Sequence, residues 1–208
     1  MIASIALPTG VLLEGSLALL KRAGIADLAS TVGRRLLVEE NGVRVVLVRP
    51  SDVAAYVDYG AVDLGVVGKD QLWESPGAHY ELLDLHFGGC TMVLAVPEGS
   101  PLQGPETWPP TLRVATKYPV TTNAYMDALG QTVEVVRLHG SVELAPQVGL
   151  VDAIVDLTAT GRTLKENRLR VVAEVGRSTA RLIANQASLK TRGEPIQELV
   201  GRVRGAVR

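Results

Sequence analysis

Residues 152–164 have the sequence Asp-Ala-Ile-Val-Asp-Leu-Thr-Ala-Thr-Gly-Arg-Thr-Leu, in which an apolar run gives way to a polar turn. The run 153–155 is typical of a buried strand, and it ends in one acid, Asp156. The turn at 158–163 contains small hydroxyl residues and a glycine, and it leads into a helix-like segment, 163–167. A strand, a tight turn and a helix in this order are typical of an α/β protein.

This turn is suited to binding an anion. The free N–H groups at the start of a helix and the positive end of its dipole point into such a turn. Gly161 permits a positive φ and close approach of a ligand, and the neighbouring threonines add hydroxyl groups. An acid just before the loop suits a ribose hydroxyl or a magnesium-bound hydroxyl. The pattern therefore predicts a phosphorylated sugar as ligand, and an ordinary turn with a capping threonine is the alternative it leaves open.

The wider context of the turn resembles ATP phosphoribosyltransferase, the family that catalyses the first step of histidine biosynthesis. The segments that carry this family's phosphoribosyl pyrophosphate (PRPP) signature are similar to Glu143-Leu-Ala-Pro146, Asp152–Asp156 and Thr160–Leu164. Other blocks follow in the family's order and spacing, so that the resemblance extends from about Ile5 to Leu199. They are Leu7-Pro-Thr-Gly10, Arg49-Pro-Ser-Asp-Val53, Gly68-Lys-Asp70, Ala115-Thr-Lys-Tyr-Pro119 and Ser178-Thr-Ala-Arg181.

Composition agrees with a metabolic enzyme of the cytoplasm. The chain has 208 residues, of which 47% are hydrophobic, which is enough for one sizeable core or two modest ones. A net charge of −1 gives no basic surface for nucleic acid, and no apolar run is long enough to predict a membrane span. The lone Cys90 forms no internal disulfide, and no spacing of cysteine and histidine predicts a zinc site.

Apolar runs of strand length alternate with helical segments along the chain, which predicts mostly parallel sheets covered by helices. The alternation alone is compatible with one sheet. The resemblance instead implies a two-lobed fold of the periplasmic-binding-protein type II kind with a cleft between the lobes. We expect crossings near 88–90 and 174–177. The first lobe would then comprise 1–89 plus 175–208, and the second, 90–174, would carry the PRPP loop.

In this family N1 of the ATP adenine attacks C1 of PRPP and expels pyrophosphate, with Mg²⁺ as the implied cofactor. Catalysis of that kind depends on orienting the reactants and neutralising charge on the leaving group. Arg34 resembles the arginine that reaches the pyrophosphate, and Arg35 stands where a second cation assists. A solvated basic pair is the alternative for both. The resemblance implies PRPP binding by Glu143, Asp156, Thr158, Ala159, Thr160, Gly161, Arg162 and Thr163.

Four residues of the first lobe are implied in ATP binding. Gly10 belongs to the first turn, and Arg49 follows a predicted strand, where a salt bridge with Asp52 is its alternative role. Lys69 and Asp70 follow another predicted strand, and they either contact nucleotide phosphate or tie the lobes together. The residues that would bind a metal ion are not indicated by the sequence.

The first turn departs from the family pattern. Family members have Leu-Pro-Lys-Gly-Arg where this chain has Leu7-Pro-Thr-Gly-Val11, so Thr9 and Val11 replace two cations. The chain also ends soon after a predicted helix at 196–207, with no length for the regulatory domain of the long form. It therefore resembles the short form, which implies a homodimer within a hetero-oligomer that contains a histidyl-tRNA-synthetase-like regulatory subunit.

Two other interpretations explain parts of the pattern. A non-catalytic ligand-binding protein of the same two-lobed architecture would suit the missing cations, although no export signal is visible and the PRPP loop is intact. A type I phosphoribosyltransferase also has an acid followed by a Thr-Gly loop. That family places two adjacent acids before the loop, whereas Leu157 follows Asp156 here, so we disfavour it.

Overall fold

The computed structural model describes residues 3–28 and 35–207. The chain forms two compact units, Met1–Gly89 with Thr179–Arg208 (unit 1) and Cys90–Ser178 (unit 2). It therefore passes from unit 1 to unit 2 after Gly89 and returns after Ser178. No helix among the described residues is long and apolar enough to cross a membrane.

Unit 1 contains a six-stranded sheet in the order β2-β3-β1-β4-β11-β5. Its strands are β1 (Ala3–Pro8), β2 (Leu37–Glu40), β3 (Val43–Val48), β4 (Leu64–Gly68), β5 (Tyr80–Asp84) and β11 (Ala180–Ala184). Its helices are α1 (Leu13–Arg22), α2 (Val53–Asp58), α3 (Lys69–Glu74), α6 (Gln186–Thr191) and α7 (Gly193–Ala206).

Helices cover both faces of the unit 1 sheet because its central strands are apolar on both sides. In β1, Ile5 and Leu7 pack in a cluster with residues of α1 and α7, whereas Ala6 packs in a cluster with residues of α2. Successive strand residues point to opposite faces, so one short run contributes to two cores.

Unit 2 contains a five-stranded sheet in the order β10-β6-β9-β7-β8. Its strands are β6 (Cys90–Pro97), β7 (Thr111–Thr116), β8 (Thr132–Arg137), β9 (Ala153–Thr158) and β10 (Leu169–Ser178), and its helices are α4 (Pro119–Ala128) and α5 (Arg162–Glu166). Strands β8, β7 and β9 are parallel, so their carboxyl ends share one edge of the sheet.

Most strands of each sheet run in one direction, as expected, but both sheets are mixed, because β2, β11 and β6 run opposite to the others. In unit 1, β2 pairs antiparallel with β3. The two are joined by Asn41 and Gly42, both at positive φ, and a two-residue turn of this kind connects antiparallel strands. In unit 2, β6 runs antiparallel to both β9 and β10.

The second crossing lies later in the chain than the sequence predicts. It was expected near Glu174–Arg177, but the division falls after Ser178. The cause is the length of β10, which stays paired with β6 as far as Ser178 opposite Cys90. Residues 175–178 therefore belong to unit 2.

Candidate functional site

The strand order of unit 2 creates a natural ligand position at the carboxyl ends of β7 and β9. From β7 the chain goes through α4 to β8 on one side, whereas β9 lies on the other side of β7. The loops that follow β7 and β9 therefore lead away in different directions. In α/β sheets ligands bind at such a switch point. The residues here are Lys117 and Tyr118 after β7 and the loop 159–161 after β9.

The backbone of the β9 loop has the conformation that the sequence predicts. Gly161 has φ +73°, and a Cβ placed there would have no atom within 4 Å, so the glycine serves the backbone angle rather than packing. The N–H of Gly161 donates to Thr158 Oγ1 at 2.8 Å, and that of Arg162 donates to Thr160 Oγ1 at 3.4 Å. Each hydroxyl accepts from the loop and still has its own proton to donate.

The helix after this loop is shorter than its role as an anion site would favour. α5 has only five residues, and buried Leu164 anchors it to the core of unit 2. Exposed Arg162 forms an ion pair with Glu166 at 2.7 Å, so a ligand would compete for its guanidinium. Ala159, Thr160 and Thr163 are exposed. The loop thus offers N–H groups and hydroxyls more than a strong helix dipole.

Asp156 is the buried acid of the site. It is 8% exposed, and its Oδ1 accepts the N–H of Leu157 at 2.8 Å. Burial raises the pKa of Asp156 above its ordinary value; the Leu157 N–H and the charge of Lys117 oppose the rise, and the charge of Glu143 adds to it. The structure therefore brings Asp156 and Glu143 close enough to repel each other, as two carboxylates do where a hydroxyl or a cation is the intended partner.

Lys117 is a candidate site residue that the sequence analysis did not assign to the site. It is exposed, it follows buried Thr116 at the end of β7, and its charge reaches Asp156. Its signal was present in Ala115-Thr-Lys-Tyr-Pro119, where a cation lies between a strand and a proline that begins a helix. The positive end of ten-residue α4 lies at the same edge, so both features favour an anion here.

The candidate residues of unit 1 lie at the carboxyl-end edge of its own sheet. β3, β1 and β4 are parallel neighbours, and Arg49, Gly10 and Lys69 follow them, respectively. Gly10 has φ +82°, and the turn is held by the N–H of Thr9, which donates to the Val48 carbonyl at 2.8 Å. Val11 is 94% exposed, so its side chain contributes little to the core.

The other cations and acids of this edge differ in availability. Lys69 Nζ is held by Glu81 on β5 within unit 1, and Asp70 is buried and accepts from Gln71 Nε2 at 2.7 Å. Arg49 is exposed, and its alternative role, a salt bridge with Asp52, is not seen among the described residues.

Asp52 instead accepts the hydroxyl of Ser51 at 2.8 Å. Arg35 is exposed just before β2, and Arg34 lies outside the described residues. The described parts of the chain contain no cluster of three or more potential metal ligands.

Comparison with known proteins identifies a family. The model of the ATP phosphoribosyltransferase family matches residues 49–205. The ATP phosphoribosyltransferase of Caldanaerobacter subterraneus subsp. tengcongensis is 46% identical over 209 residues, which cover 99% of this chain and 98% of that protein. The enzyme of the same name from Rubrobacter xylanophilus is 48% identical over 202 residues, 96% of this chain and 94% of that protein.

Solved structures agree with these relatives. The ATP phosphoribosyl transferase (HisG:HisZ) complex from Thermotoga maritima has a chain that is 33% identical, with a TM-score of 0.83 and coverage of 99% of this chain and 98% of that one. The periplasmic aliphatic sulphonate binding protein SsuA from Escherichia coli is 17% identical with a TM-score of 0.63, over 98% of this chain and 68% of that one. The second likeness concerns the fold alone, and it confirms the predicted periplasmic-binding-protein type II-like class.

The raised pKa of Asp156 predicts a stabilising substitution. A carboxyl whose folded pKa is raised contributes stability below its unfolded pKa and loses it as pH rises through the folded value. Asp156→Asn keeps an oxygen acceptor for Leu157 and never ionises. We expect the melting temperature of Asp156→Asn, relative to wild type, to increase between about pH 4 and pH 8.

Asp152→Asn is the matched control with the opposite sign. Hydrogen bonds from Arg113, at 2.9 Å from Nη2 to Oδ1 and 3.0 Å from N to Oδ2, outweigh burial and lower the pKa of Asp152. The stability that Asp152 contributes is lost only as pH falls below about 4, so the destabilisation by Asp152→Asn should stay constant between about pH 5 and pH 8 and become smaller at lower pH. Parallel pH profiles for the two variants would contradict the assignment.

Proposed function

The chain belongs to the ATP phosphoribosyltransferase family, and we propose that it joins N1 of the ATP adenine to C1 of PRPP with release of pyrophosphate. This reaction is the first step of histidine biosynthesis. The observation that carries the proposal is the 158–163 loop at the switch point of unit 2, beside a buried acid whose neighbours are Glu143 and Lys117. The cytoplasm, where both substrates are found, is the compartment we assign.

We assign the PRPP phosphates to the loop. The N–H groups around Gly161 and the hydroxyls of Thr158, Thr160 and Thr163 donate to phosphate oxygens, with Ala159 and Arg162 completing the loop. Asp156 and Glu143 accept from the ribose hydroxyls. Two carboxylates beside a phosphate repel it unless hydroxyl protons or a cation lie between them, and burial together with the charge of Glu143 raises the pKa of Asp156.

The leaving pyrophosphate requires positive charge. Lys117 lies at the same sheet edge as the loop and is exposed, so we assign it to the pyrophosphate in addition to Arg34 and Arg35, which come from the family pattern. An arginine can bind two phosphate oxygens at once and never loses its charge. ATP phosphoribosyltransferases act on ATP and PRPP with a divalent metal, and we assign Mg²⁺. When bound, it neutralises part of the pyrophosphate charge.

ATP is assigned to the carboxyl-end edge of unit 1. Gly10 and Arg49 present an open turn and an exposed cation there. Lys69 contributes only after it leaves Glu81, a partly exposed ion pair of the kind worth about 0–1 kcal/mol. A triphosphate carries enough charge to compete with one carboxylate. Asp70 is buried, and we assign it to positioning the start of α3 rather than to direct contact.

We also propose an assembly. The Thermotoga maritima structure is a complex of HisG with HisZ, and its HisG-like chain has the length of this one. By analogy, the chain would form a homodimer within a hetero-oligomer that contains a histidyl-tRNA-synthetase-like regulatory subunit. The alternative, a binding protein without activity, is supported by the uncharged Thr9–Val11 turn. The high identity to named enzymes favours catalysis.

Turnover by the purified chain with ATP, PRPP and Mg²⁺, with and without the regulatory subunit, tests the proposal. We expect weak activity alone and a marked increase on adding the partner. Pyrophosphate release and formation of the phosphoribosyl-ATP product should rise together. PRPP binding without turnover in the complete assembly would favour the non-catalytic alternative.

The loop assignment predicts the effect of a single methyl group. Gly161→Ala places a Cβ at a left-handed position, which costs about 1–2 kcal/mol, and the new Cβ has no protein atom within 4 Å. Because the strain falls on the backbone that approaches the phosphates, PRPP affinity should decrease about tenfold or more. Isothermal titration calorimetry of each variant with PRPP measures the dissociation constant.

Gly130→Ala is the matched control. Gly130 has φ +67°, again with no atom near its Cβ, but it precedes β8 at the opposite edge of the same sheet. Both variants should lose similar stability, whereas only Gly161→Ala should lose affinity. Equal PRPP affinities for the two would remove the loop from the binding site.

Because Thr9 and Val11 stand where family members have cations, restoring the two cations is predicted to increase the affinity for ATP. Because Val11 is 94% exposed and Thr9 is only partly buried, Thr9→Lys with Val11→Arg adds two cations without fully burying either. A well-formed charge-assisted contact with ATP is worth about 1.5–3 kcal/mol, so ATP should bind about tenfold more tightly at low salt. The gain should shrink as salt rises, because exposed charges are screened.

Calorimetric titration of ATP at two salt concentrations, with a thermal melt of the double variant, provides the measurement. Thr9→Gln with Val11→Gln is the uncharged control. A gain that is shared by both double variants, or absent from the charged one, would show that this turn does not contact the nucleotide.

A further inference from the structure

Asp84 holds together the two chain segments by which unit 1 continues into unit 2 and resumes after it. Asp84 is the last residue of β5, and its Oδ1 accepts the N–H of His86 at 2.9 Å. The same oxygen accepts the hydroxyl of Thr179 at 2.8 Å, and Oδ2 pairs with Arg181 Nη1 at 3.0 Å. His86 precedes the first crossing, whereas Thr179 and Arg181 directly follow the second, so one carboxylate links both segments.

Backbone hydrogen bonds reinforce this link at the same place. The N–H of Ala180 donates to the Phe87 carbonyl, and that of Leu85 donates to the Ala180 carbonyl, both at 2.9 Å. His86 has φ +55°, a conformation that is uncommon for a residue other than glycine, and Gly88 has φ +67°. The bond from the His86 N–H to Asp84 thus fixes a backbone angle that the residue would not readily adopt alone.

The carboxylate keeps its charge under ordinary conditions. Burial disfavours ionisation of Asp84, but the hydrogen bonds from His86 and Thr179 and the charge of Arg181 outweigh it and hold the pKa below its usual value. Glu81 extends the network, because it contacts Arg181 Nη1 at 3.4 Å and also holds Lys69. The anchored segments are therefore connected to a residue that we assign to ATP.

We propose that Asp84 is a positioning residue for turnover, which acts by fixing through Thr179 and His86 the course of both crossing segments. The inference rests on the proposed function, in which PRPP is assigned to unit 2 and ATP to unit 1. Reactants held in one geometry react far faster than reactants held loosely. When the link through Asp84 is weakened, both crossing segments are held less firmly and kcat falls, whereas PRPP binding within unit 2 does not change.

Removal of one hydrogen bond tests the proposal without removing the charge. Thr179→Val keeps the side-chain shape and loses the hydroxyl, and Thr179→Ser restores it. We expect kcat of the Thr179→Val holoenzyme to fall about tenfold, which corresponds to the loss of one hydrogen bond to a charged group, with the PRPP dissociation constant unchanged within about twofold. Thr179→Ser should retain kcat close to that of wild type.

Thr191→Val is the matched control in the same unit. Its hydroxyl donates to the Ala187 carbonyl at 2.9 Å on exposed α6, away from both crossings. Hydrogen exchange of residues 85–90 and 179–181 provides a readout independent of activity. These amides should exchange faster in Thr179→Val than in wild type, and their exchange rates should be unchanged in Thr191→Val.

The possible outcomes distinguish failure of this inference from failure of the proposed function. Unchanged kcat and unchanged exchange in Thr179→Val overturn the inference, as does an equal loss of kcat in Thr191→Val. A loss of PRPP affinity in parallel with kcat would mean a general structural defect and would also overturn it. Absence of turnover in the wild-type holoenzyme would overturn the proposed function instead. In that case the exchange rates alone decide whether the link through Asp84 exists.

Discussion

The position at which the chain enters and leaves each sheet is the constraint on which the rest of the structure depends. In unit 1 the chain leaves after β5 and returns at the start of β11, where Ala180 pairs with Gly68 at the carboxyl end of β4. In unit 2 it enters at the start of β6, where Thr91 pairs with Thr158 at the carboxyl end of β9, and β10 ends opposite Cys90. Each sheet is thus entered and left at the edge where its parallel strands end.

This constraint explains the mixed sheets. A strand that starts at the carboxyl-end edge must run back through the sheet, so β11 and β6 are necessarily antiparallel to β4 and β9. The candidate functional residues of both units also lie at those carboxyl-end edges. The loops after parallel strands there contain glycines at positive φ, such as Gly10 and Gly161, and hydroxyl or charged residues instead of core residues.

Much of this was predictable from local patterns. The run 153–155 was predicted as a buried strand and lies within β9, and the loop after β9 was predicted with its glycine conformation, because an apolar run that ends in turn residues is a local signal. Strand direction is not local, since it depends on which edge the chain reaches after a crossing.

The ion pairs could not be predicted from the sequence either. Lys69 and Glu81 are twelve positions apart on different elements, and only the register of β5 beside β11 brings Glu81 near both Lys69 and Arg181. Lys117 was overlooked for a related reason. A single lysine after a strand is common, and its meaning depends on the acids that the fold places near it.

The contrast between two buried aspartates argues for the site more strongly than any motif. Asp63 is fully buried, and its carboxylate accepts from the N–H and hydroxyl of Ser4 and from the hydroxyl of Ser188, and it pairs with Arg192. The protein itself supplies the hydrogen-bond donors and the positive charge that this carboxylate needs, so Asp63 stabilises the junction of β1, β4 and the C-terminal helices. Asp156 is buried as well, but among the described residues it accepts only the N–H of Leu157, and it lies in the field of Glu143 as well as that of Lys117.

A fold selected for stability alone would satisfy or replace such a group, because burying a poorly compensated carboxyl costs free energy. A buried Asp156 beside the turn that we assign to the phosphates is therefore what we expect of a group whose partner arrives with the ligand. A sugar phosphate supplies both complements, since its hydroxyls donate to the acid and its phosphate accepts from the turn. The same reasoning explains why the loop hydroxyls of Thr158 and Thr160 accept from the backbone and keep their protons available.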